Sequence, residues 1–191
     1  RRNTMGKIIL CRGKKADTPL TVLQTGVKLY TAEELCYYIY NNIYLIGQDF
    51  IDDNLISFLD ETGEKELAER VRKLKETGGS LAQIFVIILK TIDYYSVAEI
   101  EQLKGILNTL GKQSVCERLK ARGDGYLNAG YYFAAVRCYE SIIKDYKGND
   151  LLAADYAKVY HNLGTAYARM FMYGKAVIYY DEAYRTGQQE E

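Results

Sequence analysis

The feature that most constrains this chain is a pattern in its C-terminal part that recurs after 41 residues. A glycine, an alanine and two tyrosines each have a match of the same type one period later. The matched pairs are Gly123 and Gly164, Tyr126 and Tyr167, Ala135 and Ala176, and Tyr139 and Tyr180. A repeat of about this length is one supersecondary unit that buries its apolar face by stacking on its neighbour. The spacing therefore predicts at least two copies of one small fold.

The residue types within each copy predict a pair of packed helices. Glycine or alanine is required where two helix backbones cross closely, and the tyrosines fill the space between the helices. In the second copy, Gly164 and Tyr167 belong to the first helix, whereas Ala176, Tyr180 and Ala183 belong to the second. We therefore expect the glycine of the first helix to lie near residues of the second.

This arrangement resembles the tetratricopeptide repeat over about residues 113–186. The resemblance implies an α-solenoid of stacked antiparallel helical hairpins that binds other proteins. The usual repeat has about 34 residues, so the segment from Asp145 to Tyr156 holds the excess, either as extra helical turns or as a longer loop. Because at least three repeats are needed for a stable stack, we expect a degenerate third hairpin from Leu81 to Leu110.

The resemblance also implies a groove, formed by the first helix of each hairpin, that holds an extended or helical peptide. Projected onto this sequence, the candidate groove residues are Lys120, Asp124, Asn128, Lys158, His161, Asn162, Thr165 and Arg169. Family members that clamp a terminal carboxylate use Lys and Asn in this groove. Lys120 and Asn162 match that pattern, but Asp124 stands where Asn is expected.

The rest of the chain also carries helix signals, and only one proline interrupts it. Thr31 and Ser96 begin capping boxes that end in Glu34 and Glu99, and Ser80 precedes a very apolar segment. We expect helices at about residues 31–46, from 49 or 52 to 59, from 62 or 63 to 78, 81–94, 97–110, 113–129, 131–146, 150–170 and 173–186. The sequence thus predicts a mainly α fold with a small N-terminal β element. We expect three regions. Residues 1–30 form a β flap or basic arm, residues 31–79 form an N-terminal helical region, and residues 80–191 form the repeat region.

The N-terminal region predicts short strands at residues 7–11, 20–23 and 27–30, which form a hairpin or a three-stranded flap. Basic residues predominate before residue 31, and acidic residues predominate from 31 to 66. One interpretation is that these two segments lie together and neutralise each other. The other is that residues 1–28 form a basic arm, which gives an alternative function as a nucleic-acid-binding regulatory protein. Equal numbers of acidic and basic residues overall make nucleic acid the less favoured partner.

Two helices carry more apolar surface than one neighbour covers. The first places Tyr37, Tyr40 and Tyr44 on a second apolar face, which is either buried within the chain or contacts a partner. The last carries Ile178 and Tyr184 on a face that end repeats normally make polar. Either the N-terminal flap covers that last face, or a homodimer or another partner does. We favour the homodimer or partner.

No pattern predicts catalysis, a cofactor or a metal site. His161 is the only histidine, and the four cysteines lack the close spacing of zinc ligands. We expect the cysteines to be reduced, buried small side chains, as in a cytoplasmic protein. No stretch approaches the length of a transmembrane helix. The sequence therefore predicts a non-enzymatic, cytoplasmic protein-interaction module or scaffold that binds a protein or peptide.

Overall fold

The computed structural model describes residues 11–146 and 151–188, and the chain divides into two units between Gly111 and Lys112. The first unit contains β1 (Leu20–Val22), β2 (Val27–Leu29), α1 (Ala32–Asn41), a short 3-10 helix (Gln48–Phe50), α2 (Asp53–Glu61), α3 (Lys65–Glu76), α4 (Leu81–Ile92) and α5 (Val97–Lys112). The second contains α6 (Val115–Asn128), α7 (Tyr132–Asp145), α8 (Ala153–Arg169) and α9 (Tyr173–Gly187). The predicted mainly α fold with a small N-terminal β element is confirmed, and the arrangement of the helices is consistent with stacked helical hairpins.

The β element in the described residues is a two-stranded hairpin. β1 pairs antiparallel with β2, and Leu20 lies opposite Leu29. Gly26 has a φ of 71° in the turn, a backbone conformation that favours glycine. The predicted strand at residues 7–11 lies outside the described residues apart from Cys11, which is not in a strand.

The acidic segment lies against the N-terminal segment, as one of the two charge interpretations expected. Its carboxylates accept hydrogen bonds from backbone N–H groups. Glu33 Oε1 accepts from Arg12 N at 2.7 Å and from Gly13 N at 2.8 Å, and Glu61 accepts from Thr18 N. These contacts anchor the N-terminal loop on the start of α1 and on the end of α2.

The start of α1 is confirmed, but its predicted end is wrong. Thr31 and Glu34 form the expected capping box. The helix ends at Asn41 and not at Ile46. The side chains of Asn41 and Asn42 donate to the carbonyls of Tyr37 and Tyr38, so they bind the backbone groups of the last turn. Such local side-chain bonds compete with continuation of a helix.

The early end of α1 divides its tyrosine face. Tyr40 stacks on Tyr95 with ring centroids 4.2 Å apart, so this side chain packs within the chain. Tyr37 is half-buried, whereas Tyr44 lies beyond the helix end and is exposed. The face is therefore neither wholly buried nor wholly free.

The helices α4 and α5 belong to the first unit, although the sequence placed them with the repeats in a region starting at residue 80. Their buried side chains join a core shared with α1, α2 and α3. The contributing residues are Ile84, Phe85, Ile88 and Leu89 of α4 and Ile100, Leu103 and Leu107 of α5. α5 also continues through Gly111 to Lys112 and does not end at Leu110. The physical reason is that α4 buries its strongest apolar face against α1 and α3.

The second unit consists of two hairpins, in which α6 packs on α7 and α8 packs on α9, and α7 also packs on α8. Ser114 caps α6 through a capping box with Glu117. The turns inside the hairpins are short. The connection from Asp145 to Ala153 is longer, and four of its residues, 147–150, lie outside the described residues. The excess over a usual repeat is thus a longer connection, together with a longer α8.

The predicted close crossing occurs in both hairpins. A Cβ atom placed on Gly123 of α6 would lie 2.7 Å from Cε1 of Tyr139 in α7. A Cβ atom placed on Gly164 of α8 would lie 2.9 Å from Cδ1 of Tyr180 in α9. Real Cβ atoms essentially never come so close, so only glycine fits at either position. The glycine and tyrosine matches in the sequence therefore describe one repeated contact.

We expect Gly164→Ala to lower the free energy of unfolding by about 1–3 kcal/mol, because the added methyl group overpacks a filled crossing. Carbonyl O of Ala176 also lies 3.2 Å from the added Cβ, so the backbone of α9 must move as well. The matched control is Gly174→Ala in α9, which meets nothing within 4 Å. The control is expected to stabilise by up to about 1 kcal/mol, since alanine favours helix. Urea unfolding measures both variants, and equal effects would contradict the close crossing.

Candidate interaction surfaces of the C-terminal unit

The candidate groove residues on α6 and α8 meet at Asp124. Its Oδ1 accepts hydrogen bonds from the Tyr139 hydroxyl at 2.7 Å and from Asn162 Nδ2 at 2.9 Å. Its Oδ2 lies 3.1 Å from Lys120 Nζ. A single carboxylate thus ties α6 to α7 and to α8. This internal carboxylate contacts both residues that matched the carboxylate-clamp pattern, Lys120 and Asn162. A ligand carboxylate would have to displace Asp124 from them.

Tyr139 acts as a donor in this network. Burial and the hydrogen bond to the Asp124 carboxylate both raise the pKa of its phenol. The phenol therefore keeps its proton under all ordinary conditions and donates it to the carboxylate. Sequence reasoning identified Tyr139 as a packing residue, but its polar partner depends on how the two helices pack.

The same position in the second hairpin has different chemistry. Thr165 stands 41 residues after Asp124, and its Oγ1 lies 3.1 Å from the Tyr180 hydroxyl. Thr165 also donates to the carbonyl of His161 at 3.0 Å, so the Tyr180 hydroxyl is the donor in their contact. The His161 ring lies 5.2 Å from the ring of Tyr180. A neutral contact here replaces the charged network of the first hairpin.

The structure thus brings five of the eight predicted groove residues into two polar clusters, one that joins the two hairpins at Asp124 and one within the second hairpin at Thr165. Of the other three, Lys158 pairs with Asp155 one turn earlier on α8. Asn128 and Arg169 are exposed near the ends of α6 and α8. Within residues 11–146 and 151–188, no hydrogen bond or ion pair joins these two side chains to the clusters.

A second polar network, which sequence reasoning missed, joins α7 to α8. The Tyr167 hydroxyl donates to Glu140 Oε1 at 2.8 Å, and Lys144 Nζ lies 2.8 Å from Glu140 Oε2. The hydrogen bond from Lys144 lowers the pKa of Glu140, with a further contribution from Tyr167, although partial burial opposes the shift. Lys175 of α9 lies over the Tyr167 ring at 4.9 Å. The Tyr126 and Tyr167 match indicated the position of this tyrosine but gave no sign of its partner.

The outer face of α9 is apolar and exposed. Val136 of α7 is 7% exposed and Tyr139 is fully buried, but their equivalents in α9, Val177 and Tyr180, are 65% and 36% exposed. Ile178 and Tyr184 of α9 are more than half exposed as well. The difference arises because α8 packs on α7, whereas no described helix follows α9. In the first hairpin, the equivalent residues Val136 and Tyr139 are buried, and α8 packs on their helix.

The turn before α9 has an unusual aromatic residue. Both hairpins use the same turn, since Tyr131 N donates to Tyr126 O and Met172 N donates to Tyr167 O, each at 2.9 Å. The left-handed position of this turn is Gly130 in the first hairpin, with a φ of 83°. In the second it is Phe171, with a φ of 61°. A bulky residue in that conformation costs about 1–2 kcal/mol. The Phe171 side chain is nevertheless 79% exposed, and its ring makes an edge contact with the ring of Tyr173.

The cysteines are free in the described residues, and three of them fit the expectation of buried small side chains. Burial raises the pKa of the Cys36 thiol, which keeps it protonated. The expectation is wrong for Cys11, which is exposed because it lies in the loop anchored on Glu33. Its Sγ accepts a hydrogen bond from Thr31 Oγ1 at 3.2 Å.

Within residues 11–146 and 151–188, no group of three or more His, Cys, Asp or Glu side chains is placed to hold a metal ion. In the same ranges, no helix has the combination of length and apolar character that crossing a membrane requires.

Comparisons with protein-family models, with curated proteins and with solved structures gave no match. The resemblance to tetratricopeptide repeats therefore stays a prediction from the residues.

We expect Asp124→Ala to lower the free energy of unfolding by about 1–3 kcal/mol, because the buried Tyr139 hydroxyl loses its acceptor. Asp124→Asn is expected to lose less, since an amide oxygen still accepts from Tyr139. The control is Asp181→Ala on α9, which removes only a surface pair with Arg185 and is expected to change stability by less than about 0.5 kcal/mol. Urea unfolding of the three variants measures the difference. A loss for Asp124→Ala no larger than that of the control would show that the network does not join the helices.

Proposed function

We propose that this chain is a non-enzymatic protein-interaction module whose C-terminal unit binds a second polypeptide. The observation that carries the proposal is that Val177 and Tyr180 of α9 are exposed, whereas their equivalents on α7, Val136 and Tyr139, are buried in the hairpin on which α8 packs. Contiguous apolar surface of this kind is typical of protein contact sites. We take a second copy of this chain as the simplest occupant, and a helix of another protein as the alternative occupant of the same face.

Phe171 supports this proposal independently. The first hairpin uses glycine in the same turn, so the second hairpin gives up stability to hold an aromatic ring out in solvent. Backbone strain of this kind is concentrated at functional sites. Exposed aromatic side chains are also the residues that contribute most to binding energy at protein interfaces. We take as the contact surface Phe171, in the turn before α9, together with Tyr173, Val177 and Tyr184, which the helical period places on one side of α9.

The groove on α6 and α8 is the second part of the proposal, as the site of an extended or helical peptide. Its polar clusters fix Lys120, Asp124 and Asn162 in place before any ligand binds, which lowers the ordering cost of binding. Because the carboxylate of Asp124 already occupies these donors, we expect the groove to favour backbone amide groups of a peptide over its terminal carboxylate.

The alternative function as a nucleic-acid-binding protein depends on residues 1–28. Residues 1–10 lie outside the described residues, so only part of this basic segment has a structure. In the described part, Lys15 lies over the ring of Tyr30 at 4.7 Å. No specific contact favours this alternative over binding of a polypeptide.

We expect the purified chain to self-associate in sedimentation velocity at about 100 μM, a concentration at which micromolar complexes form. Val177→Glu should abolish the association without loss of helical signal, because Val177 is exposed in the free chain and a charge cannot be buried in an apolar contact. Phe171→Gly should weaken it while raising the free energy of unfolding by about 1 kcal/mol. In native extract, a photo-crosslinker at position 184 should form an adduct with the polypeptide that is bound to α9.

The matched control is Val97→Glu in the first unit, which alters an equally exposed apolar residue at the start of α5 and should leave association unchanged. The mass of the crosslinked adduct distinguishes a second copy from another protein. A monomer at that concentration together with no adduct at position 184 would refute α9 as a contact surface.

A further inference from the structure

The first unit contains an open cleft that the proposed function does not use. It has a volume of about 780 Å³ and lies among the second half of α3, the whole of α4 and the middle of α5. This volume is within the range of about 300–1,000 Å³ typical of small-molecule sites. All the residues that line it lie between Arg70 and Asn108, so one unit forms it completely.

The floor of the cleft is the second apolar face of α4. Ile84, Phe85, Ile88 and Leu89 of this helix are fully buried in the core. Ala82, Val86 and Ile87 point to another side, where they are only half-buried and line the cleft with Leu74 of α3. A helix that is apolar nearly all round is buried on both sides or meets another molecule. One side of α4 meets the core, and its other side faces the cleft.

The charged groups that line the cleft are all cations: Arg70, Lys90 and Lys104. The carboxylate of Glu101 lies beside them, 3.5 Å from Lys90 Nζ and 3.3 Å from Lys104 Nζ. One carboxylate is therefore shared by two ammonium groups, and the three cations keep a net positive charge. An apolar floor under a positive rim is complementary to a molecule with an apolar body and an anionic group.

We propose that this cleft binds a small amphiphilic anion, whose apolar body lies on Ala82, Val86 and Ile87 and whose carboxylate, phosphate or sulfonate group contacts Lys90 and Lys104. The anion takes the place that Glu101 now holds beside these lysines. Burial of the apolar body supplies most of the affinity. The cations favour a ligand with a negative charge and fix the direction in which it lies.

The test is isothermal titration calorimetry of the full chain with decanoate, decanol and decyltrimethylammonium, each below the concentration at which it forms micelles. Decanoate is expected to bind more tightly than decanol, and the cation should not bind. Between octanoate and decanoate, each added CH₂ group should tighten binding by up to about fourfold.

Three variants at the cleft are expected to change the affinity for decanoate, two of them in opposite directions. Lys104→Gln should weaken decanoate binding by about fivefold, and Glu101→Gln should strengthen it by a similar factor because the competing carboxylate is gone. Ala82→Glu should abolish binding, since it places a carboxylate on the apolar floor where the body of the anion lies. Thermal melting shows that each variant is folded, and Lys65→Gln, outside the cleft, should leave binding unchanged.

Three results would overturn the proposal. The first is that decanoate binds no better than decanol. The second is that the Lys104 and Glu101 variants fail to change its affinity in opposite directions. The third is that anionic phospholipid vesicles or an acidic helical peptide bind at the cleft while monomeric decanoate does not, which would make the cleft a membrane or protein contact.

Discussion

The C-terminal unit depends on the close approach of a helix backbone to a tyrosine ring. At Gly123 and again at Gly164, the missing side chain lets the helix lie directly against Tyr139 or Tyr180. Each tyrosine then spans the gap between the helices and carries its hydroxyl to a polar group on the first helix of the same hairpin. Packing and hydrogen bonding thus come from one side chain, which fixes both the distance between the helices and their rotation.

The two hairpins share this contact but differ in what surrounds it. The first has a carboxylate under its tyrosine hydroxyl, a glycine in its turn and a neighbour on the outer face of its second helix. The second has a threonine under the hydroxyl, Phe171 in the turn and an uncovered outer face. The threonine replaces a charged network by a neutral contact, and the other two changes expose apolar surface on the second hairpin. This contrast within one chain supports a role of the second hairpin in contacts with another polypeptide.

The sequence was most informative where a local rule or a repeat determined the structure. Thr31, Ser80 and Ser96 were identified as helix starts because their hydrogen bonds involve residues only three positions away. A close helix crossing with tyrosines in the gap was predicted because the glycine, alanine and tyrosine pattern recurs after 41 residues, and the structure shows that Gly123 meets Tyr139 there. The end of α1 was missed because Asn41 and Asn42 stop the helix through side-chain bonds that compete with an apolar pattern extending to Ile46.

Interactions between helices were beyond local reasoning. The Tyr167 and Glu140 contact and the convergence of Lys120 and Asn162 on Asp124 require knowledge of which helix faces meet. The cleft in the first unit was hidden for the same reason. The sequence indicated that α4 is very apolar, but the cations that line the cleft beside it come from three helices.

A double-mutant cycle between Gly123 and Tyr139 tests the central claim most directly. Gly123→Ala is measured by urea unfolding in the wild-type chain and in Tyr139→Leu, which removes the ring atoms nearest to the added methyl group. If the ring and the helix backbone are in contact, Gly123→Ala should destabilise the wild type but be neutral or stabilising beside leucine, with a coupling of about 1–3 kcal/mol. Additive effects, within about 0.5 kcal/mol, would contradict the contact on which the repeat is built.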